Sequence, residues 1–326
     1  MTPTDRSDRI AGTILGGAVG DALGVPYEFE SRTLRQGEDP QMLGGGLGGF
    51  APGQWSDDTD MAMAIVDVIA AGTDLGSAAG LDAVAGNFLQ WYVNGPADVG
   101  VQTGKVLSNT RRRLRENPDA SAGAVMREEA LTFSAFFPKS DGNGALMRTG
   151  PVALAYLDDR DALAETASAV AGLTHAGHLA GESCILWCEA IRVAVVERRI
   201  DVTAGLDLLP RDRVDEWSTW LDDAATQDPK TFTPNGFTVT ALQAATSSIL
   251  RTLTPDVAPR QHIRDALFTA IRIGNDTDTV AAIAGALLGA RWGVDAIADE
   301  WRQAVHGWSP SGPVTGEQAA RRVIGR

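Results

Sequence analysis

Two runs of Asp, Asn, Ser and Thr carry the residue types that could bind metal ions. The first run is Trp55–Asp60 (WSDDTD) and the second is Gly274–Thr279 (GNDTDT), and each directly precedes an apolar stretch that predicts a helix. A helix start needs only one such residue as its N-cap, although carboxylates in the first turn also favour the positive end of the helix dipole. Each run supplies several carboxylates and hydroxyls, so capping alone does not explain them.

Carboxylates held this close together repel each other unless a cation lies between them. Mg²⁺ prefers oxygen ligands in an octahedron, keeps several of its waters and takes only a few carboxylates per ion. An Asp-x-Asp-Thr unit can direct two carboxylates and a hydroxyl into one site, and two facing units could hold two ions about 4 Å apart, the spacing used in hydrolysis. The sequence therefore predicts a hydrolase with a two-metal centre of the Mg²⁺ type.

The elements that position these runs are predicted to be helices. Apolar residues recur at i, i+3 and i+4 over long stretches and no stretch alternates with period two, so the fold class is all-α. The predicted helices are Ile10–Leu23, Asp60–Ala71, Leu81–Val93, Val101–Glu116, Ala120–Leu131, Gly150–Tyr156, Arg160–Thr174, Leu179–Arg198, Val239–Leu250, Ile263–Ile273, Thr279–Ala290 and Gly293–Gln303. Three segments interrupt this pattern and are expected to be irregular: the glycine-rich loop Ser31–Pro52, the charged segment Asp201–Asn235 and the tail after Gly307.

Composition and charge narrow the class of protein. The chain has 326 residues, 44% of them hydrophobic, and no linker in its middle, which favours a single domain over residues 1–326. The net charge of −14 argues against non-specific nucleic-acid binding. No run approaches the roughly 18 to 20 apolar residues of a membrane span, and Met1 to Asp8 lacks the apolar core of a secretory signal. We expect a soluble, cytoplasmic, monomeric protein.

The two Asp runs, with three further motifs, resemble the ADP-ribosylglycohydrolase family over nearly the whole chain. The further motifs are Gly12-x-x-x-Gly16-Gly17-Ala18-x-Gly20-Asp21-Ala22-Leu23-Gly24 followed by Tyr27-Glu28, then Gly142–Arg148 (GNGALMR), and Thr174-His175. The resemblance implies a compact, single-domain orthogonal helical bundle with a dinuclear Mg²⁺ or Mn²⁺ centre in a cleft. It also implies hydrolysis of the glycosidic bond between ADP-ribose and an acceptor, the reversal of mono-ADP-ribosylation.

Carried over by position, the resemblance implies a set of metal ligands and substrate contacts. The implied ligands are Ser56, Asp57, Asp58, Asp276, Asp278 and Thr279. Family members commonly have Thr where this chain has Ser56, and the hydroxyl is retained. The implied substrate contacts are Asn143, Gly144, Met147 and His175, with Trp55 expected to shape the rim of the pocket. Glycine lets the backbone approach a ligand closely, although Gly142-Asn143-Gly144 could also be only a turn before the helix predicted at Gly150.

Glu28, Asp58 and Asp278 are the candidate catalytic residues. Glu28 precedes the glycine-rich loop, and in some relatives a Glu here belongs to a mobile flap, so it could assist as a base. The alternative is a plain surface carboxylate. Asp21, in an apolar context, is predicted to brace a loop or helix end, and Asp60 to orient a ligand or simply to begin the helix.

Several functions remain open at this stage. The preferred one is hydrolysis at the anomeric carbon of the ribose distal to adenine, acting on an ADP-ribosylated protein or another ADP-ribosyl acceptor. A non-catalytic, crystallin-like ADP-ribose binder is disfavoured because both Asp motifs are complete. A dinuclear-metal hydrolase of another ribosyl or O-acyl-ADP-ribose substrate is the third alternative. The acceptor, whether arginine, serine, a nucleobase or a small molecule, is not assigned.

Overall fold

Helices make up nearly all of the regular structure in the part of the chain that the computed structural model describes, residues 5–35 and 37–324. The α-helices are α1 (Arg6–Gly24), α2 (Asp57–Ala70), α3 (Ala78–Val93), α4 (Val101–Glu116), α5 (Ala122–Phe136), α6 (Leu146–Thr149), α7 (Val152–Ala155), α8 (Arg160–Ala171), α9 (His178–Glu197), α10 (Val214–Thr226), α11 (Thr238–Thr252), α12 (Pro259–Ile271), α13 (Thr277–Trp292), α14 (Asp299–Ala304) and α15 (Gly316–Arg321). Short 3-10 helices cover Val25–Glu30, Leu206–Leu208, Pro229–Thr231 and Val294–Ala296. A small antiparallel sheet pairs β1 (His306–Gly307) with β2 (Val314–Thr315). The predicted all-α fold class is confirmed.

Two segments that were expected to be irregular contain helices. Helix α10 lies within the charged segment 201–235, and it buries Trp217, Leu221 and Ala224 along one face. The spacing of these apolar residues is helical, but acidic residues surround them and conceal the pattern. Helix α15 lies in the tail, where Thr315 and Gln318 form a capping box that begins it.

Two of the predicted helices are α-helical over only part of the predicted range. The segment predicted as Gly150–Tyr156 forms only α7, and the preceding helix α6 lies where no helix was predicted. Gly150 and Pro151 both keep helical backbone angles, but proline has no backbone N–H to donate, so the helical hydrogen bonding is interrupted here. The segment predicted as Gly293–Gln303 forms a 3-10 turn and then α14.

Helices α1 and α13 pack backbone against backbone through glycines. A Cβ atom added to Gly16 would lie 2.2 Å from the carbonyl oxygen of Gly285, and one added to Gly285 would lie 2.1 Å from that of Gly16. At the end of α1, a Cβ on Gly24 would lie 2.3 Å from the Cα of Asp278. The two helices are antiparallel, and the C-terminal end of α1 therefore contacts the second Asp motif directly.

No helix in the described ranges is long and apolar enough to cross a membrane. The organisation of residues 1–326 as one domain and the cytoplasmic location stay predictions.

Replacing Gly16 with Ala tests the α1–α13 contact. The added methyl has no room against the Gly285 carbonyl, so we expect the free energy of unfolding to fall by about 1–3 kcal/mol. The matched control is Gly86→Ala in α3, where the new Cβ meets no atom within 4 Å and should raise stability by roughly 0.5–1 kcal/mol. Urea unfolding of both variants is the measurement, and equal effects would contradict the close packing.

Candidate metal centre

Both Asp motifs begin helices, but their N-cap side chains do not cap them. Ser56 at the start of α2 and Asp276 at the start of α13 make no capping hydrogen bond. For α2 the cap comes from α1, because Asp21 accepts hydrogen bonds from the backbone N–H groups of Ser56 (2.9 Å) and Thr59 (3.0 Å) and from the Thr59 hydroxyl (2.6 Å). The predicted bracing role of Asp21 is confirmed, and the carboxylates of Asp57 and Asp58 are not needed to cap the helix.

Five buried carboxylates converge in two groups that share Asp278. Asp21, Asp58 and Asp278 each place one carboxylate oxygen within 4.8 Å of the others, and Glu28, Asp276 and Asp278 do the same. None of the five side chains belongs to a residue more than 7% exposed. We call these two groups the acidic triads. One shared carboxylate between two triads is the arrangement expected of two neighbouring cation positions.

The donor set of the acidic triads fits a divalent cation. The Oε2 atom of Glu28 and the Oδ1 atom of Asp58 are sealed from solvent and have no hydrogen-bond partner among the described residues. Such atoms are costly to bury unless something compensates them. All available ligands are carboxylate and hydroxyl oxygens, which suit hard cations such as Mg²⁺ and Mn²⁺ better than metals that prefer thiolates.

Burial and mutual repulsion raise the pKa values of the triad carboxylates. Burial raises the pKa of Asp58 and of Asp278 well above the usual range, and neighbouring carboxylates add to both effects. Burial, and then the charge of Asp276, raise the pKa of Glu28 to about 9. Like charges in a shared site disfavour the ionised form. A cation bound between these groups would therefore offset the repulsion and favour their ionised forms.

The remaining predicted ligands lie beside the triads rather than in them. The Ser56 hydroxyl donates to Oδ2 of Asp58 at 2.9 Å, and the backbone N–H of Thr279 donates to Oδ1 of Asp278 at 3.0 Å. Asp57 is partly exposed and belongs to neither triad. Burial and then the charge of Asp98 raise the pKa of Asp57 well above its usual range. Ligation by these three residues stays a prediction.

Two important residues were missed from the sequence. Asp98, between α3 and α4, lies close enough to raise the pKa values of both Glu28 and Asp57. Asn235 is fully buried, accepts a hydrogen bond from the backbone N–H of Asp276 (3.0 Å) and donates to the carbonyl of Gly274 (3.1 Å). Each is a single polar residue outside any motif, so the sequence carried no signal for it.

The loop Gly142–Arg148 is attached to the second Asp motif through Asn143. The Asn143 side-chain amide donates to Oδ2 of Asp276 at 2.8 Å and to the carbonyl of Asn235 at 3.1 Å. Gly144 packs on the ring of His175, since a Cβ at Gly144 would lie 3.0 Å from its Cε1 atom. The structure therefore brings Asn143, Gly144 and His175 together beside the acidic triads.

Trp55 does not line the rim of the cleft, and this prediction is corrected. The residue is 1% exposed, and its indole N–H donates to Oδ1 of Asp60 at 2.8 Å. Asp60 also accepts the indole N–H of Trp91 at 3.0 Å, and burial raises the pKa of Asp60 to about 7. Asp60 is thus an anchor for two tryptophans. Met147 is partly exposed and lines a small space of about 30 Å³ together with Asp58, and its role as a substrate contact stays a prediction.

A groove of about 1300 Å³, which we call the aromatic groove, adjoins the acidic triads. Its lining contains five aromatic residues and two lysines: Tyr92, Phe133, Phe136, Phe137, Phe237, Lys105 and Lys139. The groove meets the triads at Gly142 and Gly236, where a Cβ on Gly236 would lie 4.0 Å from Oδ2 of Asp276. A ligand with a flat apolar end and a polar end could therefore reach both parts.

Fold and site together define a helical protein with a buried cluster of carboxylates, suited to a cation, beside an aromatic groove. The model of the ADP-ribosylglycohydrolase family matches residues 2–325, and the chain belongs to this family. The predicted family and enzyme class, a hydrolase of ADP-ribose glycosidic bonds, are confirmed.

Three relatives and one solved structure show how far the similarity extends. The chain is 27% identical over 312 residues to an ADP-ribosylarginine hydrolase of Pseudomonas putida, covering 95% of this chain and 77% of that protein. It is 28% identical over 308 residues to the ADP-ribosyl-dinitrogen reductase glycohydrolase of Rhodospirillum rubrum, covering 92% and 91%. It is 26% identical over 338 residues to ADP-ribosylhydrolase ARH3 of Homo sapiens, covering 92% and 90%. A solved ADP-ribosylglycohydrolase-related protein complex superposes with a TM-score of 0.69 at 26% identity, covering 98% of this chain and 96% of that one.

Replacing Asp278 with Asn tests whether the triads hold cations. In chelator the variant should be more stable than the parent protein, because one buried like charge is removed. Addition of Mg²⁺ or Mn²⁺ at a hundred times its Kd should stabilise the parent by about 2.7 kcal/mol and the variant much less. Thermal and urea unfolding with and without metal are the measurements.

Asp256→Asn is the control for this experiment, since Asp256 is exposed and lies between α11 and α12. It should respond to metal as the parent does. Equal metal stabilisation of all three proteins would place the binding outside the triads.

Proposed function

We propose that this chain is a two-metal hydrolase that cleaves ADP-ribose from the guanidinium group of arginine in modified proteins. The observation that carries the two-metal part is the pair of acidic triads that share Asp278. Mg²⁺ and Mn²⁺ are the proposed ions. When bound, such cations orient sugar hydroxyls and lower the pKa of a water molecule.

Glu28 is the proposed general base. Its Oε2 atom has no hydrogen-bond partner among the described residues, so this oxygen is available to accept a proton from water. The segment that carries it is tied to the second motif, because the backbone N–H of Phe29 donates to the carbonyl of Asn275 at 2.7 Å. Asp278, which Glu28's triad shares with the other triad, and Asp58 contribute further carboxylate oxygens and hold the charge of the site. The water oxygen would thus bond to the anomeric carbon and lose a proton to Glu28 as the C–N bond breaks, with the electron pair leaving on the guanidine, which takes up a proton to become the arginine guanidinium.

The aromatic groove is the proposed site for the adenosine half of ADP-ribose. Its phenylalanines offer flat apolar surfaces on which a purine can stack. Lys105 and Lys139 line the same groove and carry charge suited to the pyrophosphate. Because the groove meets the triads at Gly142 and Gly236, the distal ribose would lie against the acidic triads.

Acidic residues at the edge of the site support an arginine acceptor. Asp57 and Asp98 are both partly exposed and lie close enough to each other to interact. A guanidinium leaving group is cationic and would be attracted there, whereas a serine hydroxyl would gain no such energy. The named activity of the Pseudomonas putida relative, an ADP-ribosylarginine hydrolase, agrees with this choice.

The remaining properties are proposed on the composition of the chain. The net charge of −14 supports a protein that does not bind nucleic acid non-specifically. We propose further that it acts as a monomer in the cytoplasm.

Release of free ADP-ribose from defined substrates tests the function. We expect release from arginine-linked peptides in Mg²⁺ or Mn²⁺, none in chelator, and much less from serine-linked peptides or modified nucleic acid. Release of ADP-ribose from serine-linked peptides only would contradict arginine as the acceptor and leave the enzyme class intact. Binding of ADP-ribose with no release from any substrate would favour a non-catalytic binder.

Glu28→Gln separates catalysis from binding. Loss of a general base should lower kcat by roughly 10²–10⁴-fold, while the Kd of ADP-ribose should change little. The control is Glu30→Gln, because Glu30 is an exposed carboxylate two residues away and should tolerate the change. Comparable kcat values for Glu28→Gln and the parent would contradict the assignment, as would a loss of turnover in the control.

A further inference from the structure

A buried hydrogen-bonded chain runs from Arg148 through Thr174 to His175, beneath the loop that contains Gly142 and Gly144. The Arg148 guanidinium donates to the Thr174 hydroxyl oxygen at 2.7 Å, and that oxygen lies 2.8 Å from Nδ1 of His175. Arg148 and Thr174 are fully buried, and His175 is 3% exposed. The proposed function gives Arg148 and Thr174 no part.

The chemistry of the three groups determines the direction of these hydrogen bonds. A guanidinium has donors and no acceptor, so the Thr174 oxygen must accept from Arg148. The one hydroxyl proton of Thr174 is then left to donate to Nδ1 of His175. Nδ1 is therefore unprotonated, and the proton of the neutral ring is on Nε2. The opposite tautomer would leave the Thr174 proton buried without an acceptor.

The environment also keeps the His175 ring neutral. Burial is the larger cause and the positive charge of Arg148 the second, and together they lower the pKa of His175 to about 3. Neither cause depends on a carboxylate of the acidic triads. His175 is consequently a hydrogen-bond donor at Nε2 across the physiological pH range.

The Nε2 atom of His175 reaches the loop beside the acidic triads. A Cβ atom at Gly144 would lie 3.2 Å from it and a Cβ at Gly142 would lie 3.6 Å from it. Nε2 has no hydrogen-bond partner among the described residues, and it is not one of the unpartnered atoms that are sealed from solvent. Its N–H group is therefore accessible where the aromatic groove meets the triads, and the absence of a side chain at Gly144 leaves space in front of the ring.

Arg148 supports the same loop directly. Its guanidinium donates to the carbonyl of Gly144 at 3.0 Å and lies 4.5 Å from the centre of the Phe88 ring. No described carboxylate forms an ion pair with this buried cation, whose nearest polar contacts are Gly144 and Thr174. Replacing Arg148 would disturb both the loop and His175, so Thr174 is the better residue to test.

We propose that Arg148 and Thr174 are positioning residues: they hold His175, which the resemblance already implies as a substrate contact, as an Nε2–H donor towards an oxygen of ADP-ribose at the loop. The ligand part rests on the proposed function, whereas the tautomer part rests only on the hydrogen bonds within the protein. A phosphate oxygen and a ribose hydroxyl are both suitable acceptors.

Long-range ¹H–¹⁵N spectra of the protein report the tautomer directly. The chain has four histidines, and His175→Gln assigns the signals of His175. In the parent protein we expect the Nδ1 and Nε2 shifts of a neutral ring with its proton on Nε2. Added ADP-ribose should shift the Nε2 signal.

Thr174→Val and Thr174→Ser form a matched pair for the second measurement. Valine keeps the shape and removes the hydroxyl, so we expect the tautomer to become mixed and the Kd of ADP-ribose and the KM to rise about tenfold, in the range of one lost hydrogen bond. Serine keeps the hydroxyl and should restore both values. Because the hydrogen bond from Thr174 positions a group that binds the ligand, kcat should change less than KM in each variant. Unfolding curves establish that the variants are folded.

Several results would overturn the proposal. A parent protein with its His175 proton on Nδ1, or with a charged ring at neutral pH, would refute the hydrogen-bond direction even if Thr174→Val failed to fold. A folded Thr174→Val protein with unchanged tautomer and affinity would refute the positioning role. An unchanged Nε2 signal on binding of ADP-ribose would refute the donor role. Failure to bind ADP-ribose at all would instead refute the proposed function and leave the tautomer result standing.

Discussion

The backbone contact between α1 and α13 determines where the acidic side chains of the site lie. Because glycines face each other along both helices, their axes approach more closely than any larger side chain would permit. This approach places Asp21, near the end of α1, within 4.8 Å of Asp278 at the start of α13. Glu28 follows one short 3-10 turn later and reaches the same carboxylate. The five carboxylates therefore come from α1, from the 3-10 helix that follows it and from the starts of α2 and α13, with loops supplying only the surrounding groups.

The electrostatic cost of this arrangement is what gives the site its chemistry. Five carboxylates share a volume from which water is largely excluded, and burial raises the pKa of each of them. Neutral donors offset part of this cost, as when Asn143 donates to Asp276. Within the described part of the chain, one oxygen of Glu28 and one of Asp58 still have no hydrogen-bond partner. A divalent cation compensates such atoms far better than a further hydrogen bond does, and the same charge is useful for orienting a sugar and a water.

The sequence predicted the local features of this structure better than the long-range ones. Most helices, and both helix starts that carry Asp motifs, followed from apolar spacing and from the position of the Asp runs. Asp21 and Asn235 act over separations of 35 and 41 residues, through hydrogen bonds to Ser56 and Asp276, and no local pattern reports such contacts. Trp55 was misassigned for the same reason, since it adjoins the motif along the chain while its indole is directed to Asp60 in the core. Helix α10 was missed because acidic residues surround its buried face.

Electron paramagnetic resonance of the protein titrated with Mn²⁺ tests the central claim most directly. Two ions on either side of the shared Asp278 carboxylate should bind per chain and give a spin-coupled signal. The Asp278→Asn variant should lose the coupled signal. A parent protein that binds Mn²⁺ at saturation only as isolated ions, with the six-line signal of a single centre, would contradict the two-triad site.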